Sequence, residues 1–288
     1  MGKGSKRREH HKKYYKNEAT LTVYLVLRML VILSLIRAIF RQEYHSVFLC
    51  VLSLWLMLMP SIIAKHLEVQ LPSTLEIIIL LFIFAAEILG EINSFYVRVP
   101  HWDTMLHTIN GFLCAAIGFA MVDMLNRNER FSFQLSPMYL AIVAFCFSMT
   151  VGVLWEFFEF SGDYLLGLDM QKDTVVNAIH SVNMDPTLTN TVIHINDIVD
   201  TIVVHSDGTQ QALGLGGYLD IGIYDTMKDL FVNLVGAVVF SIIGFFYVKQ
   251  KGKGRVASGF IPQVIVRKIA EKHEKHEAEK TEAEKTEE

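Results

Sequence analysis

The chain has 288 residues, of which 52% are hydrophobic and 19% are charged, and its formal net charge is −4. The apolar residues are gathered into long blocks, which excludes an ordinary globular domain in water and predicts a polytopic membrane protein. The net charge is close to balance and indicates no class of charged partner. The distribution of the charges along the chain is more informative.

The chain begins with a basic arm, residues 1–18, in which seven lysines and arginines fall within the first 16 positions. A basic segment directly ahead of an apolar block contacts anionic lipid and fixes the orientation of the first span. We prefer this interpretation to a nucleic-acid-binding arm, and we expect no nucleic-acid partner.

Six apolar blocks follow the arm, and each is long enough to cross a hydrocarbon layer of about 30 Å as a helix. They cover approximately residues 20–40, 46–64, 74–90, 104–124, 138–160 and 226–248. The predicted fold is therefore an all-α polytopic membrane protein with six transmembrane helices. Helices one to five lie within residues 19–160, and helix six is residues 226–248.

The polar connections predict the orientation. Loops 65–73 and 126–137 and the segment after residue 248 are richer in lysine and arginine than the connections on the other side. Positively charged loops stay in the cytoplasm, so both termini are predicted to lie inside and residues 249–288 to form a charged cytoplasmic tail. The predicted location is the bacterial plasma (inner) membrane, with the lipid bilayer as the surrounding partner.

One connection, residues 161–225, is much longer than the others and is predicted to lie on the outer side. Its segments Thr191–Ile195 and Ile198–His205 are rich in valine, isoleucine and threonine, and Ser206-Asp207-Gly208 is a turn signal. This pattern predicts a small β-rich insert between helices five and six.

Ionisable residues occur at the ends of the later apolar blocks. Asp103 and His107 are four residues apart, as are Asp225 and Asp229, so each pair shares one helix face. Such groups are costly near lipid, by roughly 2.5 to 3.5 kcal/mol each at a helix centre and less near its ends, and they indicate a functional site by default.

The predicted topology brings these groups to one level on the outer side, where Arg98 and Lys228 are the nearby fixed cations. The excess negative charge must be met by protons, by a metal ion or by a cationic substrate. We predict metal ligands at His107, Glu156, Glu159, Asp225 and Asp229, catalytic groups at Asp103 and His107, and secondary candidates at Glu87, Glu91, His101, Asp163 and Asn233. Oxygen ligands with an imidazole suit a divalent Mg, Mn, Zn or Fe ion.

The same residues show a resemblance to known families. The pattern comprises His101-Trp102-Asp103-x3-His107-x3-Gly111, Trp155-Glu156-x2-Glu159, Met170-Gln171, and Tyr224-Asp225-x3-Asp229-x3-Asn233-x2-Gly236. It resembles the bacterial YjdF-like inner-membrane family over about residues 85–250, and more distantly the VanZ-like family linked to teicoplanin resistance. The resemblance implies a shared site in these helices but no reaction.

Several functions are compatible with this pattern. The first is a metal-dependent enzyme at the outer leaflet that acts on a lipid-linked phosphate or an envelope precursor, with Asp103 orienting His107 or acting as a base. The alternatives are a cation- or proton-coupled transporter, and a non-catalytic envelope interaction protein with a structural polar network. Because all the charges lie at one face, the pattern favours a one-sided site over a transport path.

Overall fold

A computed structural model of the protein describes residues 18–66, 69–126, 135–250, 258–261 and 263–264. The predicted basic arm up to residue 17, the basic loop 127–134 and the charged tail beyond residue 264 lie outside the described residues.

The described chain is mostly helical, as predicted. Its α-helices are α1 Glu18–Phe40, α2 Tyr44–Leu56, α3 Met59–His66, α4 Ser73–Ile83, α5 Phe95–Arg98, α6 Trp102–Asn126, α7 Pro137–Leu166 and α8 Ile223–Lys249. Five stretches are long and apolar enough to cross a membrane: α1, α2 together with α3, α6, α7 and α8. The prediction of a multi-pass membrane protein is therefore confirmed.

The predicted third span, residues 74–90, has a different local structure. Helix α4 continues without a break into a π-helix, Phe84–Ile92. Neither part alone reaches the roughly 20 residues that a transmembrane α-helix needs, so the prediction of six spans is not confirmed. A π-helix has wider turns than an α-helix, and a pattern of apolar residues does not distinguish the two.

The helices form two separate hydrophobic cores. The first lies among α6, α7 and α8 and contains Phe119, Leu140 and Phe240, all fully buried. The second lies among α1, α2, α4 and the π-helix and includes Val31 and Leu80. Large apolar side chains on the outer faces of both groups are exposed, as expected for helices surrounded by lipid.

An apolar groove of about 520 Å³ lies between the two groups of helices. One wall comes from α4 and the start of the π-helix, the other from α6 and α8, and Phe260 lines it as well. Its lining residues are Ile78, Leu81, Phe82, Ala85, Met105, Leu106, Thr108, Ile109, Phe112, Gly236, Val239 and Phe260.

The long insert contains only short strands. These are β2 Val175–Val176, β3 Ile179–Ser181, β4 Ile193–Ile195, β5 Ile202–Val204, β6 Gln210–Ala212 and β7 Tyr218–Leu219, while β1 Val69–Gln70 and β8 Gln263–Val264 lie outside it. They pair antiparallel as β2 with β7, β3 with β4, β5 with β6, and β1 with β8. The predicted turn at Ser206-Asp207-Gly208 joins β5 to β6. A β-rich insert is not confirmed, because most insert residues lie outside strands.

Candidate functional site

Helices α6 and α8 approach each other backbone to backbone. A Cβ atom added at Gly111 would lie 2.1 Å from the backbone oxygen of Asn233, and one added at Gly236 would lie 2.1 Å from the backbone oxygen of Thr108. Only glycine allows so close an approach. The contact sets His107, one turn before Gly111, against Asp229, one turn before Asn233.

Helix α7 joins this pair through hydrogen bonds between helices. The Ser148 hydroxyl donates to the backbone oxygen of Gly111 at 2.7 Å, and the Asn233 amide donates to the backbone oxygen of Ser148 at 3.4 Å. Asn233, predicted as a secondary site candidate, therefore lies at the junction of three helices, one turn inside Asp229. Its Oδ1 atom is buried and has no hydrogen-bond partner among the described residues.

Asp103, His107 and Asp229 converge at this end of the bundle. Ligand atoms of the three side chains all lie within 4.8 Å of one another. His107 Nε2 lies 3.4 Å from Asp103 Oδ1 and 3.8 Å from Asp229 Oδ2. These distances are long for N–H···O hydrogen bonds, which cluster near 2.9 Å. They are close to the roughly 3.4 Å that separates two ligands of one tetrahedral ion with bonds of about 2.1 Å.

Several carboxylate oxygens around His107 are buried and unpaired. Among the described residues, Asp103 Oδ2, Glu156 Oε2 and Asp229 Oδ1 have no hydrogen-bond partner. Lys228 Nζ lies 3.6 Å from Asp103 Oδ2 and 3.7 Å from Asp229 Oδ1, beyond hydrogen-bonding distance. A buried acceptor without a partner costs about 1 to 3 kcal/mol and more when charged, so this cluster is incomplete without a further cation or protons.

Glu156 lies on the other side of the imidazole from the two aspartates. Its Oε1 atom is 4.0 Å from His107 Nδ1, whereas the aspartates lie near Nε2. Carboxylates next to the second nitrogen of a metal-binding histidine orient the ring and raise its basicity. The position of Glu156, predicted as a ligand, fits this orienting role better than direct coordination.

Asp225 has other partners. Its Oδ1 accepts a hydrogen bond of 2.6 Å from Lys228 Nζ, and its Oδ2 accepts one of 2.9 Å from the backbone N–H of Lys172. Asp225 therefore holds the Lys228 ammonium beside the cluster and fixes the insert to the start of α8. Lys228, which the sequence analysis counted only as a nearby cation, is a site residue by its position.

The remaining candidates lie outside the cluster. The Trp155 indole donates to Glu159 Oε1 at 2.8 Å, which holds Glu159 along α7. Glu87 and the exposed Glu91 are on the π-helix. His101 is exposed, has a left-handed φ of 61°, and accepts the backbone N–H of Met105 at the start of α6. The structure does not bring these four residues to His107 Nε2.

Asp163, a secondary metal candidate, has both oxygens occupied by the backbone. They accept the N–H groups of Met170 and Gln171 at 2.6 and 2.8 Å. The Gln171 amide in turn donates to the Thr226 hydroxyl at 2.5 Å. Asp163 therefore closes the turn after α7 and docks the insert on α8, a structural position that explains the Met170-Gln171 pair in the sequence pattern.

We expect Asp163→Ala to loosen this docking while leaving metal binding unchanged. Loss of two hydrogen bonds to a charged acceptor should cost at least about 3 kcal/mol, which corresponds to a rise in local opening of roughly 150-fold. Limited trypsin digestion after Lys172 measures that opening. Asp169→Ala is the control, because the Asp169 side chain is 66% exposed and its carboxylate forms an ion pair only with Lys172 among the residues that the structure describes. Equal cleavage rates in the two variants would contradict the docking role.

Tyr96, on the short helix α5, was missed by the sequence analysis. Its ring fills the space beside Gly90, where an added Cβ would lie 2.4 Å from Tyr96 Cε2. Burial raises the pKa of Tyr96, and the nearby charges of Glu91, Asp103, Glu87 and Glu159 raise it further. The hydroxyl stays protonated among these carboxylates. An isolated tyrosine in a short connection carries no spacing signal that would have identified it.

The fold and the cluster together define a class: a helical multi-pass membrane protein with a buried group of one imidazole and two carboxylates at the meeting point of three helices. The chain belongs to the family described as "Predicted membrane protein (DUF2238)", which it matches over residues 21–250. The resemblance to YjdF-like proteins fits this assignment roughly, and nothing in the comparisons supports the resemblance to VanZ-like proteins.

A curated relative comes from Thermotoga maritima and is described as an uncharacterized protein. It is 27% identical over 127 residues, which cover 42% of this chain and 62% of the relative. The chain thus matches less than two thirds of that relative's length. No solved structure matches the chain.

Proposed function

We propose that Asp103, His107 and Asp229 hold a divalent cation, and that the protein is a metal-dependent membrane enzyme acting on a lipid-linked phosphate or another envelope precursor. The observation that carries this proposal is the set of buried oxygens of Asp103, Glu156 and Asp229 that have no hydrogen-bond partner in the described part of the chain and surround one imidazole. A cation with open coordination positions would neutralise this charge and accept a phosphoryl oxygen or a water molecule.

The donor set narrows the choice of ion. One imidazole and two carboxylates suit Mn²⁺, Fe²⁺ or Zn²⁺ better than Mg²⁺, which prefers oxygen ligands alone. Glu156 would orient the His107 ring from the far nitrogen. Lys228, whose side chain is 46% exposed, would attract an anionic head group to the open side of the site.

The apolar groove supports a lipid as the substrate. It runs along α6 beside the site, and residues Met105, Leu106 and Thr108 in its wall flank His107 in sequence. Met105 and Ile109 line a face of α6 different from that of Asp103 and His107, since 100° separates successive residues. A lipid chain in the groove would therefore lie on the side of α6 away from the cluster, and its head group would reach the cation around the start of α6.

The orientation in the membrane is part of the same proposal. Helix α4 and the π-helix run from Ser73 to Ile92 without interruption, which supports their crossing the membrane together as a sixth span. Both termini would then lie in the cytoplasm and the cluster at the outer face of a bacterial plasma membrane. A reporter fused within residues 175–210 would lie outside.

Metal binding tests the proposal directly. Purified protein in lipid nanodiscs is titrated with Mn²⁺, Zn²⁺ or Mg²⁺, and binding and thermal unfolding are recorded. Metal at 100 times its dissociation constant should stabilise the wild-type protein by about 2.7 kcal/mol. Release of phosphate from a polyprenyl diphosphate should depend on the same metal and stop with a chelator.

The Asp229→Asn variant distinguishes a metal site from a structural polar network. Without metal, the substitution removes one of several buried carboxylates that repel each other and should stabilise the protein; with metal, it should abolish the stabilisation that the metal gives. Asp169→Asn, at an exposed position, should behave as wild type in both conditions. Metal-independent destabilisation by Asp229→Asn would contradict the proposal and favour a structural polar network.

A further inference from the structure

We propose that His180 and His194 in the insert form a second metal site, suited to Cu²⁺ or Ni²⁺. The strands β3 and β4 pair antiparallel with His180 directly opposite His194. The two Nδ1 atoms lie 2.9 Å apart, the ring centroids lie 4.7 Å apart, and both residues are exposed. This site is separate from the Asp103–His107–Asp229 cluster and does not depend on its function.

The 2.9 Å between the nitrogens is the length of a hydrogen bond between the rings, and it also fits two ligands at a right angle on one ion. Two nitrogen ligands with bonds of about 2.05 Å lie roughly 2.9 Å apart when they subtend 90° at the metal, and roughly 3.3 Å apart at a tetrahedral angle. A right angle between neighbouring ligands is the geometry of square-planar or tetragonal Cu²⁺ and Ni²⁺. Cu²⁺ also stands highest in the affinity order of divalent ions for imidazole ligands.

The supporting backbone holds the pair in place before any ion binds. The loop between β3 and β4 is organised around Asp185, which accepts hydrogen bonds from the backbone N–H groups of Thr187, Thr189 and Thr191. Hydrogen bonds from the Thr187 hydroxyl and these N–H groups hold the pKa of Asp185 well below its usual range. The carboxylate stays ionised and the hairpin closed, so little conformational entropy is lost on binding an ion.

Exposure of the two rings allows the ligand exchange that a metal site needs. Without an ion, one neutral imidazole donates its Nδ1–H to the other. A small rotation of each exposed ring would direct both lone pairs at one ion, whose remaining positions would be filled by water.

Cu²⁺ titration of the full-length protein in nanodiscs tests the site. All variants carry Gln at His10, His11, His273 and His276, because these histidines are close neighbours in sequence and could bind Cu²⁺ themselves. His205 is the matched control, since it is exposed in the same insert and no contact with another imidazole is seen among the described residues. Calorimetry gives the affinity, and electron paramagnetic resonance counts the nitrogen ligands.

We expect one tight Cu²⁺ equivalent with two nitrogen ligands, separate from any Cu²⁺ held through the single imidazole of the Asp103–His107–Asp229 cluster. His180→Gln and His194→Gln should each weaken it at least 10-fold and leave one nitrogen, whereas His205→Gln and His107→Ala should leave it unchanged. Thermal unfolding should be the same in all insert variants, because the rings are exposed. Unchanged affinity in His194→Gln, or loss of the tight equivalent in His107→Ala alone, would overturn the proposal.

Discussion

The double variant His107→Ala with Asp229→Asn is expected to bind metal scarcely more weakly than either single variant. His107 Nε2 lies 3.8 Å from Asp229 Oδ2, so one ion can contact both groups. Each single substitution should lower metal affinity by more than the 10- to 100-fold that loss of an outer partner of a ligand costs. Once one ligand is lost, little binding remains for the second substitution to remove, so the effects do not add.

A second pair provides the control for this cycle. Asp225 is close in sequence to Asp229, but both of its oxygens are engaged by Lys172 and Lys228. Metal affinities of the wild type, the single variants and the two double variants are measured by titration in nanodiscs. Asp225→Asn alone should keep most of the wild-type metal affinity, because both Asp225 oxygens are engaged elsewhere, and His107→Ala with Asp225→Asn should bind metal as weakly as His107→Ala alone. An additive loss for His107 with Asp229 would mean that the two residues do not share an ion.

The core of the cluster could be predicted from residue spacing. Asp103 and His107 lie one turn apart at the start of one apolar block, and Asp229 occupies the corresponding level of another. A periodicity of 3.6 residues assigns each side chain to a helix face, and the small residues Gly111 and Gly236 indicate which faces pack together. These signals come from residues a few positions apart in the sequence. The structure brings Asp103, His107 and Asp229 together at the level that their spacing predicts.

The roles of the acidic neighbours could not be predicted in the same way. Whether Glu156 approaches Nδ1 or Nε2 of His107 depends on the rotation of α7 about its axis, which distant packing determines. Asp163 was predicted as a secondary site candidate, yet both of its oxygens accept hydrogen bonds from the N–H groups of Met170 and Gln171. A turn that supplies such N–H groups has no repeating pattern of residues that could be recognised in the sequence.

The position of the Lys228 ammonium and the π-helix are two further features that could not be predicted from the sequence. The sequence analysis counted Lys228 only as a nearby cation, although its Nζ contact of 2.6 Å with Asp225 Oδ1 places it beside the cluster. The apolar stretch of α4 continues into residues 84–92, interrupted by Glu87, Gly90 and Glu91, and this pattern does not predict the change from α- to π-helix at Phe84. Both features depend on tertiary contacts, which override local preference.

Replacing Gly236 by alanine is expected to destabilise the bundle strongly and to weaken the metal site without touching it. The added Cβ would lie 2.1 Å from the backbone oxygen of Thr108, where a relaxed contact needs more than 3 Å. Neither helix backbone can move locally, so α6 and α8 must separate by about 1 Å. We expect a loss of about 3 kcal/mol in the free energy of unfolding, at the upper end of the overpacking range.

Gly162→Ala is the matched control, because Gly162 is also a buried glycine inside a long helix. Its added Cβ would meet the Met170 sulfur at 2.7 Å, and this flexible thioether can move aside. The free energy of unfolding of the Gly162→Ala variant should change by less than about 1 kcal/mol, since alanine also favours the helix. Equilibrium unfolding in mixed micelles and metal titration are measured for both variants.

Because Gly236 adjoins the contact that sets His107 against Asp229, Gly236→Ala should lose stability and metal affinity together. If Gly236→Ala matched Gly162→Ala in both measurements, the close approach of α6 and α8 would not position the cluster.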